Sequence, residues 1–377
     1  MRRAFLTAIG VIALLHLYIG WRLLPALPID MGWKVICALL LVASWVLLPL
    51  GMLMRRARQP WVDRIAWAAF LTMGLFSSLL VFTLLRDIAL LAMALMLPAT
   101  TFASVVTGSA SFVVAGSLIV TGVGFVNARR RARVTEVEIP IENLPTSLHG
   151  FSIAQITDVH VGPTIKGDYV AAIVEAVNAL DVDAIAITGD LVDGRVEELR
   201  SHVASLAQLK ARDGVYFVTG NHEYYSGVEA WMRELQQLGI RVLTNEHVVL
   251  ERAGAQLVLA GVTDFGAQHY DRRHRSDPAA ALARAPAGAA ARVLLAHQPR
   301  SAPAAAQAGF DLQLSGHTHG GQFWPWNHFV RFQQPYTAGL HRLGGLWVYT
   351  SRGTGYWGPP KRFGAPSEIT RIRLIRR

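Results

Sequence analysis

The sequence predicts an α/β protein of two packed, mixed β-sheets flanked by helices, preceded by an all-helical membrane region of about four spans. Three observations carry this reading. Apolar residues make up 52% of the 377-residue chain, and the excess sits before residue 128. After residue 150, short apolar strand-like runs alternate with helical patterns. The later strand-like runs then crowd together, too many for one open sheet, which points to two sheets face to face with helices outside.

The membrane half comes first. Four stretches, near 4–24, 33–54, 65–85 and 105–126, approach or exceed the about 20 residues that a helical crossing needs. The run 88–104 is also apolar, but Pro98 and a Thr/Ser-rich segment interrupt it. It reads as a continuation of the third span and a connection, not as a fifth crossing. Positive clusters favour the cytoplasmic side. They are Arg2 and Arg3; Arg55, Arg56, Arg58 and Arg64; and Arg129, Arg130, Arg131 and Arg133. Four crossings put all three clusters on one side, whereas five would export the last, so both termini are expected in the cytoplasm. Arg2-Arg3 resembles a twin-arginine signal, yet no small-residue cleavage site follows and further long spans do. These arginine runs also account for much of the net charge of +10 without nucleic acid. His16 reads as a lone neutral histidine in the first span, and no ladder of paired charges suggests a transporter. Cys37 is the one cysteine, which excludes an intramolecular disulfide and a cysteine metal site.

The chain is expected to divide at 1–128 (spans), 129–149 (basic juxtamembrane linker and first strand) and 150–377 (catalytic domain). In the last part the pattern predicts a strand at 151–157, a helix at 168–180, a strand at 183–188, a helix at 196–211, a strand at 215–219 and a helix at 228–238. Strands follow at 240–243, 247–251, 257–260, 292–296, 312–314, 346–350 and 368–374, with the Ala-rich stretch 279–291 read as a surface helix and loop.

Chemistry-bearing motifs fall where these strands end. They are Asp158-Val159-His160, Gly189-Asp190-Leu191-Val192-Asp193, Gly220-Asn221-His222-Glu223, His297, and Gly316-His317-Thr318-His319. In open α/β sheets ligands collect at the carboxyl ends of strands. Asp158 and His160 are two residues apart, so both can point from one turn toward one ion, and His317 and His319 again sit two apart. A carboxylate at Asp190 has two oxygens and bridges two cations, and Asn221 offers a neutral carbonyl oxygen. Glycines 189, 220 and 316 permit tight turns and close backbone approach. Mixed imidazole and carboxylate donors suit Mn, Fe or Zn better than Mg or Ca. The eight other histidines, His16, His149, His202, His247, His269, His274, His328 and His341, read as satisfied or solvated.

On these motifs residues 150–377 resemble the calcineurin-like metallophosphoesterases, whose pattern of D-x-H, G-D-x-x-D, G-N-H-[DE], a lone H and G-H-x-H is present in order. The run Gly316-His317-Thr318-His319-Gly320-Gly321-Gln322 and the tail Ser351-Arg352-Gly353 resemble a membrane-associated bacterial branch that includes cell-envelope phosphodiesterases and UDP-diacylglucosamine-pyrophosphatase-like enzymes. The resemblance implies two divalent transition-metal ions, Mn favoured. Asp158, His160 and His319 would hold the first; Asn221, His297 and His317 the second; Asp190 would bridge them. Two ions about 3.5–4 Å apart would clamp the phosphate and activate a water for in-line attack. His222 would stabilise the transition state or protonate the leaving oxygen. Asp193 would orient a ligand or His222, and Glu223 either does the same or lies on the surface.

Substrate is less legible. Arg352 is a candidate to pair with a phosphate. Phe323, Trp324, Trp326, Tyr356 and Trp357 either line an acyl entrance or simply pack. Tethering favours a lipid-linked phosphodiester or pyrophosphate in a bacterial inner membrane, with the catalytic domain in the cytoplasm, the bilayer as partner and no nucleic acid. The alternatives are a broad phosphodiesterase or phosphatase on soluble substrates, and a membrane sensor or scaffold with a phosphate-binding module.

Overall fold

A computed structural model describes residues 2–53 and 60–377. The chain forms two compact units, Met1–Val126 with Gly358–Lys361, and Asn127–Trp357 with Arg362–Arg377.

The first unit holds four helices long and apolar enough to cross a membrane: α1 (Arg2–Leu23), α2 (Met31–Leu53), α3 (Pro60–Ala94) and α4 (Ala99–Arg129), the last ending just past the unit boundary. The run 88–104 extends α3 to Ala94, turns, and starts α4 at Ala99, so it adds no separate helix. Of the second arginine cluster only Arg64 falls on a described residue; Arg55, Arg56 and Arg58 lie outside the described residues. His16 is satisfied by Ser44 Oγ at 3.0 Å and the Ile12 carbonyl at 2.8 Å, and it stacks on Phe76. The helices do carry an ion pair that their apolar patterning hides. Asp87 accepts from Arg22 at 2.7 and 2.9 Å and from the Tyr18 hydroxyl at 2.7 Å. Paired charge is the form in which such groups persist among apolar helices.

The second unit is built on two six-stranded sheets. The first has β1 (Arg133–Ile141), β2 (Ser152–Ile156), β3 (Ala184–Ile187), β4 (Val215–Phe217), β5 (Arg241–Val242) and β12 (Glu368–Arg376), in the order β1-β12-β2-β3-β4-β5. The second has β6 (Glu246–Arg252), β7 (Ala255–Gly261), β8 (Ala291–Leu295), β9 (Leu312–Ser315), β10 (Gly339–Leu343) and β11 (Leu346–Thr350), in the order β10-β11-β9-β8-β7-β6. Both are mixed: β12 runs antiparallel to β2, and β6–β7 and β10–β11 are antiparallel pairs, while the central strands are parallel.

Period-two alternation sends side chains to both faces, which is why central parallel strands are apolar throughout. Ile153, Ala184 and Tyr216 from the first sheet meet Leu257, Leu259, Val293, Leu295 and Leu314 from the second, forming the core between the sheets. Ala154, Ile156, Ile185 and Ile187 face the other way and pack under α5 (Gly167–Asn178), α6 (Val196–Val203) and α8 (Val228–Gln237), with Trp231 fully buried there. Val258, Leu294 and Val348 on the outer face of the second sheet meet α9 (Pro278–Ala281) and α10 (Ala302–Ala308). The expected helix in the Ala-rich stretch is thus one turn, with Ala281 buried and not on the surface. Between β4 and α8 lies a further short helix, α7 (Asn221–Ser226), that the periodicity did not reveal. The loops leaving β2, β3, β4, β8 and β9 carry the motif residues, and these strands are adjacent in their sheets.

Candidate metal centre

Five of the motif residues sit in a backbone conformation that L-residues avoid. Asp158 (φ 54°), His160 (φ 55°), Asp190 (φ 50°), His317 (φ 70°) and His319 (φ 52°) are all left-handed. Each costs about 1–2 kcal/mol, and such strain persists where the surroundings over-determine it, typically at functional sites. Here the turns bend sharply enough to aim consecutive side chains inward. Two glycines make that possible. A Cβ on Gly316 would come within 2.2 Å of Asp158 Oδ2, and one on Gly220 within 2.2 Å of Asp190 Oδ1.

The donors gather into two groups, buried except for the half-buried His317. In one, Asp158, His160 and His319 present ligand atoms within 4.8 Å of one another; in the other, Asp190, His297 and His317 do so. His160 Nε2 lies 3.0 Å from His319 Nε2, and His317 Nδ1 lies 3.2 Å from His297 Nε2. Asp190 stands between the groups, with Oδ2 at 3.1 Å from His297 Nε2 and 3.9 Å from His160 Nε2. Its other oxygen accepts the backbone N–H of His222 at 2.8 Å. Asp158 is held by the His317 N–H at 3.0 Å and the Thr157 hydroxyl at 2.8 Å. Asn221 Oδ1 is buried with no hydrogen-bond partner among the described residues.

This donor set fits divalent cations. Orphaned buried acceptors are rare, and imidazole nitrogens at contact distance make sense around an ion that both can bind. His297 donates Nδ1–H to the Thr188 carbonyl at 2.8 Å, which fixes its tautomer and leaves Nε2 for a ligand bond. Burial keeps His317 neutral, with its pKa down to about 3, and burial together with His160 and Arg362 holds His319 well below the usual range. For His297 burial works the other way from its surroundings: the carboxylates of Asp190, Asp158 and Asp264 outweigh it and raise the pKa well above the usual value. Without a cation, His297 therefore carries the positive charge that the buried carboxylates require.

A third group, His160, Asp193 and His222, is equally close. There the His222 Nδ1 is bonded directly to Asp193 Oδ1, and His160 Nδ1 lies 3.4 Å from Asp193 Oδ2. Burial lowers the His222 pKa, but Asp190 and Asp193 overcome it and raise the value to about 9. The pair thus makes a proton-holding imidazole beside the two donor groups.

Glu223 is not on the surface. It is fully buried and accepts the amide protons of Gly220 at 2.7 Å, Asp190 at 3.0 Å, Leu191 at 2.8 Å and Val192 at 3.3 Å. One carboxylate ties the β3 loop to the start of α7. Arg352 donates to Glu368 Oε2 at 2.8 Å, and its backbone N–H to Oε1 at 2.9 Å, so its charge is already matched. The arginine that touches a donor is Arg362, buried, with Nη2 3.2 Å from His319 Nδ1 and Nη1 donating to the His319 carbonyl at 2.8 Å. Of the aromatic candidates, Phe323 and Tyr356 are buried, while Trp326 and Trp357 are exposed.

The family model for calcineurin-like phosphoesterases matches residues 151–321. A transmembrane protein with a metallophosphoesterase domain from Danio rerio is 41% identical over 271 residues, covering 68% of this chain and 62% of that protein. An uncharacterized metallophosphoesterase of Helicobacter pylori strain J99 is 38% identical over 257 residues, 67% of this chain and 66% of that protein. One from Aquifex aeolicus is 32% identical over 244 residues, 64% of this chain and 91% of that protein. The chain spans 62% and 60% of the lengths of the zebrafish and bovine relatives it matches.

Glu223→Ala strands four amide donors and is expected to cost about 3 kcal/mol or more, read as a fall in melting temperature; an unchanged melting temperature contradicts the clamp. Ion binding beside His297 must displace its proton, so affinity for Mn there rises as pH rises through neutrality, with about one proton released as that one site fills. Titration calorimetry in buffers of different ionisation heat measures this, and zero release contradicts it.

Proposed function

This chain belongs to the calcineurin-like phosphoesterase family, and we propose that it is a membrane-anchored, metal-dependent hydrolase of a phosphodiester or pyrophosphate, with a lipid-linked substrate. The observation that carries the reading is the position of Asp190 between two donor groups, and it is supported by Asn221 Oδ1, buried with no hydrogen-bond partner among the described residues.

In this reading Asp158, His160 and His319 hold one ion, Asn221, His297 and His317 hold a second, and Asp190 serves both. Bound there, such ions supply Lewis-acid polarisation of the phosphoryl oxygens and a water nucleophile at neutral pH. Mn is the favoured identity on donor chemistry. The chain's own residues do the rest. Asp193 holds Nδ1 of His222, so that Nε2, 3.9 Å from Asp190 Oδ2, faces the reaction. His222 keeps its proton at neutral pH and gives it from Nε2 to the leaving oxygen. Arg362 fixes the backbone and ring of His319. Arg352, spent on Glu368, is proposed to keep that loop in place and to meet the phosphate only through its outer nitrogens.

Four apolar helices in the same chain support a substrate that itself resides in the bilayer. The arginine clusters support a cytoplasmic catalytic domain. A bacterial inner membrane is proposed from the motif resemblance and the Helicobacter and Aquifex relatives.

The test is turnover by full-length protein in mixed micelles with Mn, using a lipid pyrophosphate and an aryl phosphodiester, each with and without chelator. Chelator-sensitive turnover favouring the lipid is expected; turnover of the aryl ester alone makes the anchor a mere address, and none of either refutes hydrolysis. Asp190→Ala should abolish turnover without unfolding the domain.

Asp193→Asn tests the acid separately. It removes a carboxylate that raises the His222 pKa, so the proton is lost at lower pH. The alkaline limb of kcat is expected to move to lower pH, with kcat down about 10²-fold or more. An unmoved limb means that His222 is not the acid.

A further inference from the structure

The proton donor stands beside exposed rings that the hydrolytic chemistry does not use. α7 places Asn221, His222 and Tyr225 at i, i+1 and i+4, so one turn of helix carries a donor, the proposed acid and an aromatic ring. The Tyr225 ring lies 5.0 Å from the His222 ring at 61°. Tyr225 is nonetheless 59% exposed, and so is its neighbour Tyr270 at 57%, with ring centres 5.7 Å apart. A third ring, Trp357, lies 6.0 Å from His222 at 74° and is 44% exposed.

Trp357 is held by a side chain already prominent in the sequence. Gln322, the last residue of the Gly316–Gln322 run, is buried. It donates Nε2–H to the Trp357 carbonyl and accepts the Trp357 N–H at Oε1, both at 2.9 Å. This two-point amide clamp fixes the backbone of an exposed tryptophan on a loop, which is a costly arrangement for a ring that does nothing. Isolated exposed aromatics are ordinary. Two against one imidazole, Tyr225 and the clamped Trp357, with a third, Tyr270, against the first, are not.

We infer that Tyr225, Tyr270 and Trp357 form the leaving-group subsite, and that it selects a leaving group bearing a planar aromatic ring. The inference rests on the proposed function only in taking His222 as the group nearest the leaving oxygen. Stacking on Tyr and Trp is sequence- and substituent-tolerant because it uses the ring face. The subsite therefore accepts a nucleobase or an aryl group and disfavours a short polyol. Gln322 acts as a positioning residue through Trp357.

The test uses full-length protein in nanodiscs with Mn. Inhibition constants of uridine 5′-monophosphate, phenyl phosphate and glycerol 3-phosphate are measured against bis(p-nitrophenyl) phosphate turnover. The same three ligands are titrated by calorimetry. The two ring-bearing ligands are expected to bind more tightly than glycerol 3-phosphate, and their ratio tells nucleobase from aryl preference. Tyr225→Ala and Trp357→Ala should each weaken them by roughly tenfold, leaving glycerol 3-phosphate within about twofold. Gln322→Ala should reproduce the Trp357→Ala pattern, and Tyr225→Phe should retain ring binding. Equal weakening of all three ligands, or no change in any, overturns the inference. Absence of turnover in the wild type overturns the hydrolase reading alone, because the calorimetric comparison still decides the subsite.

Discussion

Everything in the catalytic unit is arranged around one carboxylate that cannot reach water. Asp190 is buried with Asp158, Asp193 and Glu223 close by. One of its oxygens is occupied by the His222 amide, its own amide is held by Glu223, and its second oxygen is left facing His297 and His160. Burying this much negative charge is unfavourable unless positive charge is supplied within the same volume. In the ion-free site the protons on His222 and His297 supply it. Cations held at the two donor groups, as proposed, would do so more completely and would free the His297 proton.

The strain follows from the same demand. Five left-handed residues and two glycines that admit no Cβ are what it takes to bring side chains from loops of both sheets within a few ångströms. The sheets provide the rigid frame. Each central strand is buried on both faces, so the loop at its carboxyl end starts from a fixed point. Glu223 then welds two of those loops together, and Arg362 secures a third from behind.

Much of this was legible beforehand because the signals were local. Apolar runs of the right length located the four helices and most strands, and the motif spacing located the donors at strand ends. What was missed depended on partners distant in sequence. β10 is a short, half-exposed edge strand without alternation, visible only once β11 lies beside it. α7 is six residues long, too short for periodicity. Glu223 was left open between orienting a neighbour and lying on the surface, because its amide donors belong mainly to a loop more than thirty residues earlier. Arg352 and Arg362 both lie in Gly-rich loops, and nothing local says that Glu368 neutralises the first while the second reaches His319. The Asp87 ion pair was hidden likewise, since Arg22 lies two helices away.

The central claim is that one carboxylate is shared by two ions. Low-temperature electron paramagnetic resonance of the full-length protein loaded with Mn reads this directly. Two ions joined through Asp190 are exchange-coupled and give a multiline spectrum, which collapses to that of isolated ions in Asp190→Asn. A wild-type spectrum of uncoupled ions at full loading would contradict the account.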